Sequence, residues 1–175
     1  NTDVDGVGEA LQDAPDLAGA DVVVIGAGGA ARAAFAHLAG LQCASVRVVA
    51  RNHAKAAATL AEFALPVRFT GFDDVTALRN AALVINAAQL GMTGQEPMPA
   101  AILDGLAQTA PDCVVFDMVY APRDTELLKH AAIAGRQTSG GLTMLVGQAR
   151  TAFERFFGQV PSRQDDPELQ EILTS

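Results

Sequence analysis

The chain has 175 residues, which is enough for one domain of ordinary size with a substantial hydrophobic core. Half of the residues are hydrophobic and 18% are charged, so the composition favours a folded domain and excludes disorder over most of the chain. The net charge of -8 argues against nucleic-acid binding, which needs a basic surface. No stretch reaches the length of a membrane span and no signal peptide is visible, so we expect a cytoplasmic protein.

The two cysteines, Cys43 and Cys113, lie in apolar surroundings. Two are too few for a disulfide framework or a cysteine-rich metal site, and buried, reduced thiols are expected. His53 has no second histidine or cysteine at a ligand spacing, so no metal site is predicted.

Hydrophobic patterns predict strands that alternate with helices along the chain. The predicted strands are residues 22–25, 45–50, 67–70, 83–86, 113–118 and 137–139. The predicted helices are residues 1–11, 30–38, 52–63, 73–78, 99–108, 125–134 and 142–157. This alternation requires parallel strands joined by right-handed crossovers, so the expected fold is α/β, a doubly wound, Rossmann-like, mostly parallel six-stranded sheet with helices on both faces. We expect one domain over residues 1–158, opened by a helix and connector over 1–19, and a polar, loosely held tail over 159–175.

A glycine-rich turn follows the first predicted strand and opens the next helix. In this G-x-G-x-x-A pattern, Gly26 permits a sharp turn, Gly28 permits close approach of a diphosphate, and Ala31 keeps the helix close to the strand. Free N–H groups at the helix start would face an anion. We therefore predict a dinucleotide site on Gly26, Ala27, Gly28, Gly29 and Ala30. The alternative is an ordinary glycine turn.

The end of the second predicted strand distinguishes between the two nicotinamide dinucleotides. An acidic residue at this point binds a ribose hydroxyl, whereas an arginine accommodates a 2′-phosphate. This chain has no carboxylate there but carries Arg51, which can bind phosphate through two hydrogen bonds, and Lys55, which adds a point charge. The pattern favours NADP(H). Alternatively, both side chains are solvated residues at a helix start.

Polar side chains also end the fourth and fifth predicted strands. Because ligands lie beyond the carboxyl ends of strands in open α/β sheets, Asn86 and Tyr120 are candidates for ligand contact. The alternatives are an asparagine that caps a loop and a half-buried tyrosine.

The last predicted helix has two separate stripes. The apolar stripe, predicted to face the core, comprises Leu142, Leu145, Val146, Ala149, Phe153 and Phe156. A second stripe of Gly141, Met144 and Gln148 is predicted to face a cleft, where glycine admits the nicotinamide ring, Met144 offers it a soft surface and the amide binds a polyhydroxylated substrate. Gln148 as an ordinary surface residue is the alternative.

Taken together, these elements resemble the shikimate dehydrogenase family, including its quinate/shikimate relatives, over nearly the whole chain. The matching motifs are Asn1-Thr2-Asp3 with Gly6, Gly26-Ala27-Gly28-Gly29-Ala30-Ala31-Arg32-Ala33, Arg51 in a degenerate Asn-Arg-Thr element, Val84-Ile85-Asn86-Ala87 with Leu90-Gly91-Met92, Asp117-Met118-Val119-Tyr120 with Thr125 and Leu127-Leu128, and Gly141-Leu142-Thr143-Met144-Leu145 with Gln148-Ala149. The resemblance implies the family's C-terminal NADP-binding domain, and reversible hydride transfer between NADPH and the ketone of 3-dehydroshikimate in chorismate and aromatic amino acid biosynthesis.

The resemblance also assigns residue roles. It makes Asp3 the catalytic carboxylate of a Lys/Asp pair and Thr2, Tyr120 and Gln148 substrate contacts. It adds Asn52, Met118 and Gly141 to the cofactor positions. Read without the resemblance, Asp3 is a carboxylate at a helix start, favoured there by the helix dipole.

Two departures from the family pattern matter. The Ala50-Arg51-Asn52 element keeps the arginine but loses the family's flanking side chains, which predicts a weaker NADP preference. The N-terminal substrate domain with its catalytic lysine has no counterpart here, and neither Lys55 nor Lys129 can replace that lysine. We therefore expect the last helix to pack toward that missing domain, its natural partner, and the isolated chain to bind cofactor with little or no turnover.

Other readings of the family resemblance stay open. A quinate or aminoshikimate dehydrogenase would share the same substrate residues. A non-catalytic, dinucleotide-sensing regulatory module would share the fold. A monomer and a homodimer are both compatible with the sequence.

Overall fold

The computed structural model describes residues 1–173. Its centre is a six-stranded, entirely parallel sheet in the order β3-β2-β1-β4-β5-β6. The strands are β1 Asp21–Ile25, β2 Ser45–Val49, β3 Val67–Thr70, β4 Leu83–Asn86, β5 Val114–Asp117 and β6 Gln137–Gly140. The predicted α/β fold is confirmed, since strand order reverses between β1 and β4 as in a doubly wound sheet.

The helices are α1 Thr2–Ala10, α2 Ala31–Leu38, α3 His53–Leu60, α4 Ala100–Gly105, α5 Glu126–Ile133, α6 Gly141–Phe157 and α7 Asp166–Ile172, with a 3-10 turn at Leu106–Gln108. Because successive strand side chains point to opposite faces, Val22 and Val24 pack on one face with α1, α2 and Met144 of α6. Val23 and Ile25 pack on the other face with α4 and α5. Two apolar layers therefore hold helices on both sides of the sheet.

Helix α1 begins where the sequence places it. The side chain of Asn1 accepts a hydrogen bond from the backbone N–H of Asp3 at 3.1 Å and caps the first turn. Gly6 and Val7 are buried, and α1 lies against α6. The first helix and the longest helix, which are far apart in the sequence, are thus neighbours in the fold.

The helix predicted over residues 73–78 is wrong, because this segment forms turns. The carboxylate of Asp74 accepts hydrogen bonds from Thr70 Oγ1 at 2.6 Å and from Thr76 N and Oγ1 at 2.8 and 2.7 Å. These bonds lower the pKa of Asp74, with the bond from Thr70 contributing most. A side chain that binds its own backbone two residues on favours a turn over a helix.

The apolar stripe predicted for the last helix is only partly right. Leu142 and Val146 are buried, but Phe153 is 40% exposed and Phe156 is 84% exposed. The fully buried residues of α6 all lie within its first two turns, residues 141–147. The buried face of these turns combines Leu142 and Val146 of the predicted core stripe with Gly141 and Met144 of the stripe predicted to face a cleft, while Leu145 is half-buried and Ala149 is exposed. Periodicity therefore located this face only in part, and it carries no information on where the support of the helix ends.

The tail carries a helix, α7, that we had not predicted. Arg150 on α6 donates to Asp166 Oδ1 at 2.6 Å and to the carbonyl of Pro161 at 2.7 Å. Arg163 donates to both carboxylate oxygens of Glu9 at 2.6 and 3.0 Å. These contacts join the tail to α6 and α1 through charged groups, which the hydrophobic pattern does not reveal.

Candidate functional site

A cavity of about 780 Å³ opens at the carboxyl ends of β1, β2 and β4, where the strand order reverses. This is the position at which open α/β sheets bind ligands. Its lining consists of four loop segments and part of α3: Gly26, Ala27, Gly28, Gly29, Ala30, Ala50, Arg51, Asn52, Lys55, Ala56, Phe72, Ala87, Ala88, Gln89, Leu90, Gln95 and Glu96. Eight of the residues predicted to bind cofactor line this one cavity.

The glycines of the first loop are required for different reasons. Gly26 has φ +95°, and a Cβ there would lie 3.0 Å from Ala88 Cβ, so the fold itself needs glycine. A Cβ on Gly28 or Gly29 would meet nothing within 4 Å. Packing within the chain therefore gives no reason for these two glycines, whereas a ligand seated against the backbone does. The adjacent helix α2 has no side-chain cap at its N-terminus, so its first backbone N–H groups are not occupied by a capping side chain.

Two cationic side chains line the same cavity: Arg51, which follows β2, and Lys55, which lies in the first turn of α3. Arg51 donates from Nη2 to the Glu96 carboxylate. Asn52 caps α3 by accepting from the backbone N–H of Lys55 at 2.9 Å, so its side chain serves the helix. Sequence reasoning missed Glu96, which stands 45 residues beyond Arg51 and outside the matching motifs.

Asn86 is fully buried and does not line the cavity. Its Nδ2 donates to the carbonyl of Leu90 at 3.1 Å and to Asp117 Oδ1 at 2.9 Å, while its Oδ1 accepts from Ala88 N at 3.1 Å. The geometry corresponds to the capping alternative, in which Asn86 shapes the loop that forms one wall of the cavity. A direct contact with a ligand finds no support in this geometry.

Asp117 joins the same buried network. Its Oδ2 accepts from Thr125 Oγ1 at 2.6 Å and its Oδ1 accepts from Val119 N at 3.0 Å. Burial raises the pKa of Asp117, and the hydrogen bonds from Thr125, Val119 and Asn86 oppose that rise. The network ties the ends of β4 and β5 to the start of α5, and it holds the loops around the cavity in place.

A second group of predicted residues meets where α1 crosses α6. Gln148 Nε2 donates to Asp3 Oδ1 at 3.1 Å, although 145 residues separate them. The close packing of the two helices depends on Gly6, because a Cβ there would lie 2.7 Å from both Gln148 Cγ and Met144 O. The structure therefore brings together the residues predicted to bind substrate from the two ends of the chain. Thr2, on the same turn of α1, is half-buried.

The remaining predicted residues lie around the start of α6. A Cβ on Gly141 would lie 2.8 Å from the carbonyl carbon of Met118, so close backbone packing explains this glycine. Met144 is buried in the core, with its Cγ near Gly6, and it does not face an open cleft as its stripe predicted. Tyr120 is 49% exposed. The 780 Å³ cavity, as lined by the described residues, includes neither Tyr120, Gly141 and Met144 nor the pair Asp3 and Gln148.

Within residues 1–173, no group of three or more histidine, cysteine, aspartate or glutamate side chains could hold a metal ion. In the same range, no helix combines the length and the apolar character that a membrane span requires. Both cysteines are unpaired by disulfides and buried, and burial raises the pKa of Cys113 to about 11.

Comparisons with known proteins agree on one family. Residues 8–130 match the model described as shikimate/quinate 5-dehydrogenase, and residues 141–165 match the model described as the shikimate 5′-dehydrogenase C-terminal domain. The chain belongs to the shikimate/quinate 5-dehydrogenase family. A family member from Sphingopyxis alaskensis, named shikimate dehydrogenase (NADP(+)), is 42% identical over the whole chain, which covers 61% of that protein. A protein of the same name from Caulobacter vibrioides is 43% identical over 86% of the chain and 52% of its own length.

Solved structures of the shikimate/quinate 5-dehydrogenase family give the same result. The crystal structure of a shikimate dehydrogenase in complex with NADP+ matches with a TM-score of 0.79 and 29% identity, over 100% of this chain and 62% of that one. The chain therefore spans about half to three fifths of the length of the family members described here.

Proposed function

We propose that this chain is the dinucleotide-binding part of an NADP-dependent shikimate dehydrogenase, which reduces 3-dehydroshikimate reversibly to shikimate. The observation that carries the proposal is the cavity at the switch point of the sheet, with open backbone at Gly28 and Gly29 and with Arg51 and Lys55 at its rim. The names of the relatives, shikimate dehydrogenase (NADP(+)), support the same reading.

The size and the lining of the cavity support an NADP molecule as its ligand. Its volume of about 780 Å³ falls in the range of about 300–1,000 Å³ for small-molecule sites. The diphosphate would lie against Gly28, Gly29 and the N-terminus of α2, where neither Cβ atoms nor a side-chain cap intervene. Arg51 and Lys55 would hold the 2′-phosphate, as a planar donor fork and a point charge. The bound cofactor would supply or accept the hydride.

Asp3 and Gln148 would bind the ring acid. Their hydrogen bond at 3.1 Å orients the carboxylate, and the pair presents carboxylate and amide oxygens that can accept from ring hydroxyls. Asp3 would fix the orientation of a substrate hydroxyl and assist proton transfer at the carbon that exchanges hydride. Thr2 and Tyr120 would contribute hydroxyl groups to the same substrate.

We further propose that residues 1–175 bind the dinucleotide but turn over little or no substrate by themselves. Acid–base work at the reacting oxygen needs a second proton-carrying group beside Asp3, which the family provides as a lysine. Lys55 lies in the dinucleotide cavity and Lys129 is exposed on α5. Joining the chain to a lysine-bearing N-terminal domain of a relative should restore activity.

Titration with NADP+ tests the proposal. We expect Gly28→Val to abolish measurable binding, because its side chain would occupy the space of the diphosphate. The urea midpoint should stay near that of the wild type, because a Cβ there meets no atom within 4 Å. Unaltered NADP+ affinity in a folded Gly28→Val variant would contradict the assignment of this loop.

The 2′-phosphate contact has its own test. Arg51→Gln should weaken NADP+ by about tenfold or more and NAD+ by less, since a charge-assisted phosphate contact contributes about 1.5–3 kcal/mol. Arg79→Gln is the matched control, because it removes one exposed arginine outside the cavity lining. Equal losses for NADP+ and NAD+ in Arg51→Gln would contradict the contact.

A further inference from the structure

The loop between β4 and α4 carries Glu96 in a defined position. The backbone carbonyl of Glu96 accepts from Gly91 N at 2.8 Å, which closes the loop on itself. Gly91 and Gly94 supply left-handed turns, with φ of +80° and +78°. Thr93 N donates to the carbonyl of Ala121 at 3.0 Å and fixes the loop to the chain after β5. The backbone therefore positions Glu96 at the cavity rim.

The carboxylate of Glu96 pairs there with Arg51. The two side chains are 66% and 67% exposed, so solvent reaches both charges, and both line the dinucleotide cavity together with Lys55. Among the lining residues that the structure describes, Glu96 is the only acid. The guanidinium that would bind the 2′-phosphate is thus already paired with a carboxylate from another segment.

We propose that Glu96 is a specificity-determining residue that competes with the 2′-phosphate for Arg51 and lowers the preference for NADP(H) over NAD(H). The proposal rests on the function proposed above. A phosphate with a charge near −2 must displace the carboxylate or bind beside it, and like charges repel at that range. NAD(H) has a ribose hydroxyl at the same place, which can donate a hydrogen bond to a carboxylate. Glu96 therefore weakens the binding of NADP(H) and leaves the binding of NAD(H) nearly unchanged.

The expected size of the effect follows from exposed charges. In water, the interaction between two unit charges 4 Å apart changes an equilibrium constant about fivefold, and a doubly charged phosphate interacts more strongly. We expect Glu96→Gln, which keeps the shape and removes the charge, to tighten NADP+ binding about three- to tenfold. NAD+ affinity should stay within about twofold of the wild type.

The experiment compares dissociation constants for NADP+ and NAD+ in the wild type, Glu96→Gln and Glu62→Gln at low ionic strength. Glu62 is a matched control: it pairs with Arg32 at 2.5 Å, is about half exposed and does not line the cavity. Its substitution changes the net charge equally and should leave both constants within about twofold. A selective gain for NADP+ in Glu96→Gln alone supports the proposal.

Three results would overturn it: unchanged or weaker NADP+ binding in Glu96→Gln, an equal gain for NAD+, or the same gain in Glu62→Gln. In each of these the wild type still binds NADP+, so the proposed function survives. If no variant binds either dinucleotide, the proposed function fails and this proposal fails with it.

Discussion

Replacing Gly6 by alanine should destabilise the protein, although alanine is the better helix former. A Cβ at residue 6 would lie 2.7 Å from the backbone oxygen of Met144, whereas ordinary contacts begin near 3.4 Å, so α6 must move by about 0.7 Å. Overpacking of this kind costs about 1–3 kcal/mol, and the helix propensity of alanine returns about 1 kcal/mol. The expected net loss in the free energy of unfolding is between about 0 and 2 kcal/mol, with a midpoint of about 1 kcal/mol.

Gly8→Ala on the same helix is the matched control. Its Cβ would lie 3.5 Å from His37 Cε1, an ordinary contact, so the propensity gain of about 0.5–1 kcal/mol should be kept. The two variants should therefore differ by about 2 kcal/mol. In urea, with an m-value of about 2 kcal/mol/M, their unfolding midpoints should be about 1 M apart.

Equilibrium unfolding followed by circular dichroism measures this difference. If Gly6→Ala is as stable as Gly8→Ala, α1 does not lie against α6 as closely as the structure shows. The proposal that Asp3 and Gln148 bind substrate together would then lose its structural basis, since the same helix contact places Gln148 Nε2 at 3.1 Å from Asp3 Oδ1.

Three further outcomes are expected. Burial lowers the pKa of His37 below its ordinary value of 6.5, so the unfolded chain binds more protons than the folded chain as the pH falls, and the folded state loses stability. His37→Gln should therefore lose less stability than the wild type between pH 7 and pH 5. Parallel profiles of stability against pH for the two proteins would contradict this. Burial raises the pKa of Cys113 to about 11, so about one Cys113 thiol in a thousand is ionised at pH 8. Labelling of Cys113 by iodoacetamide should therefore be slow in the native protein and rapid in urea. Equal labelling rates under the two conditions would refute the burial of this thiol. In a complete enzyme that carries this chain, Gln148→Ala should raise the KM for shikimate more than the KM for NADP+, and the reverse pattern would exclude Gln148 from the substrate site.

The strand pattern was readable from sequence because buried parallel strands are short apolar runs bounded by turn residues. Asp21–Ile25 and Val114–Asp117 are strands of this kind, and the predicted α/β fold followed from their alternation with helices. The helix prediction for segment 73–78 failed because the side chain of Asp74 accepts hydrogen bonds from Thr70 and Thr76. These bonds favour a turn over a helix, and helical periodicity does not detect them. Helix α7 was missed because ion pairs between residues far apart in the sequence, Arg150 with Asp166 and Arg163 with Glu9, hold the tail.

A residue of the candidate site was predictable from the sequence where its type and position together favour a single physical role. Gly28 and Arg51 stand at positions set by strand, turn and helix, and both line the cavity. Met144 and Asn86 were harder, because a thioether and an amide serve packing and capping as well as ligands, and the structure uses them in the core and in a buried network. Glu96 was not predictable, since only the folded chain brings it to Arg51.

A crystal structure of the protein with NADP+ tests the central claim most directly. We expect the diphosphate to lie against Gly28–Ala30 and the 2′-phosphate to lie within hydrogen-bond distance of Arg51, with Glu96 turned away from that guanidinium. A dinucleotide bound elsewhere, or one whose adenosine end lies away from Arg51, would contradict it.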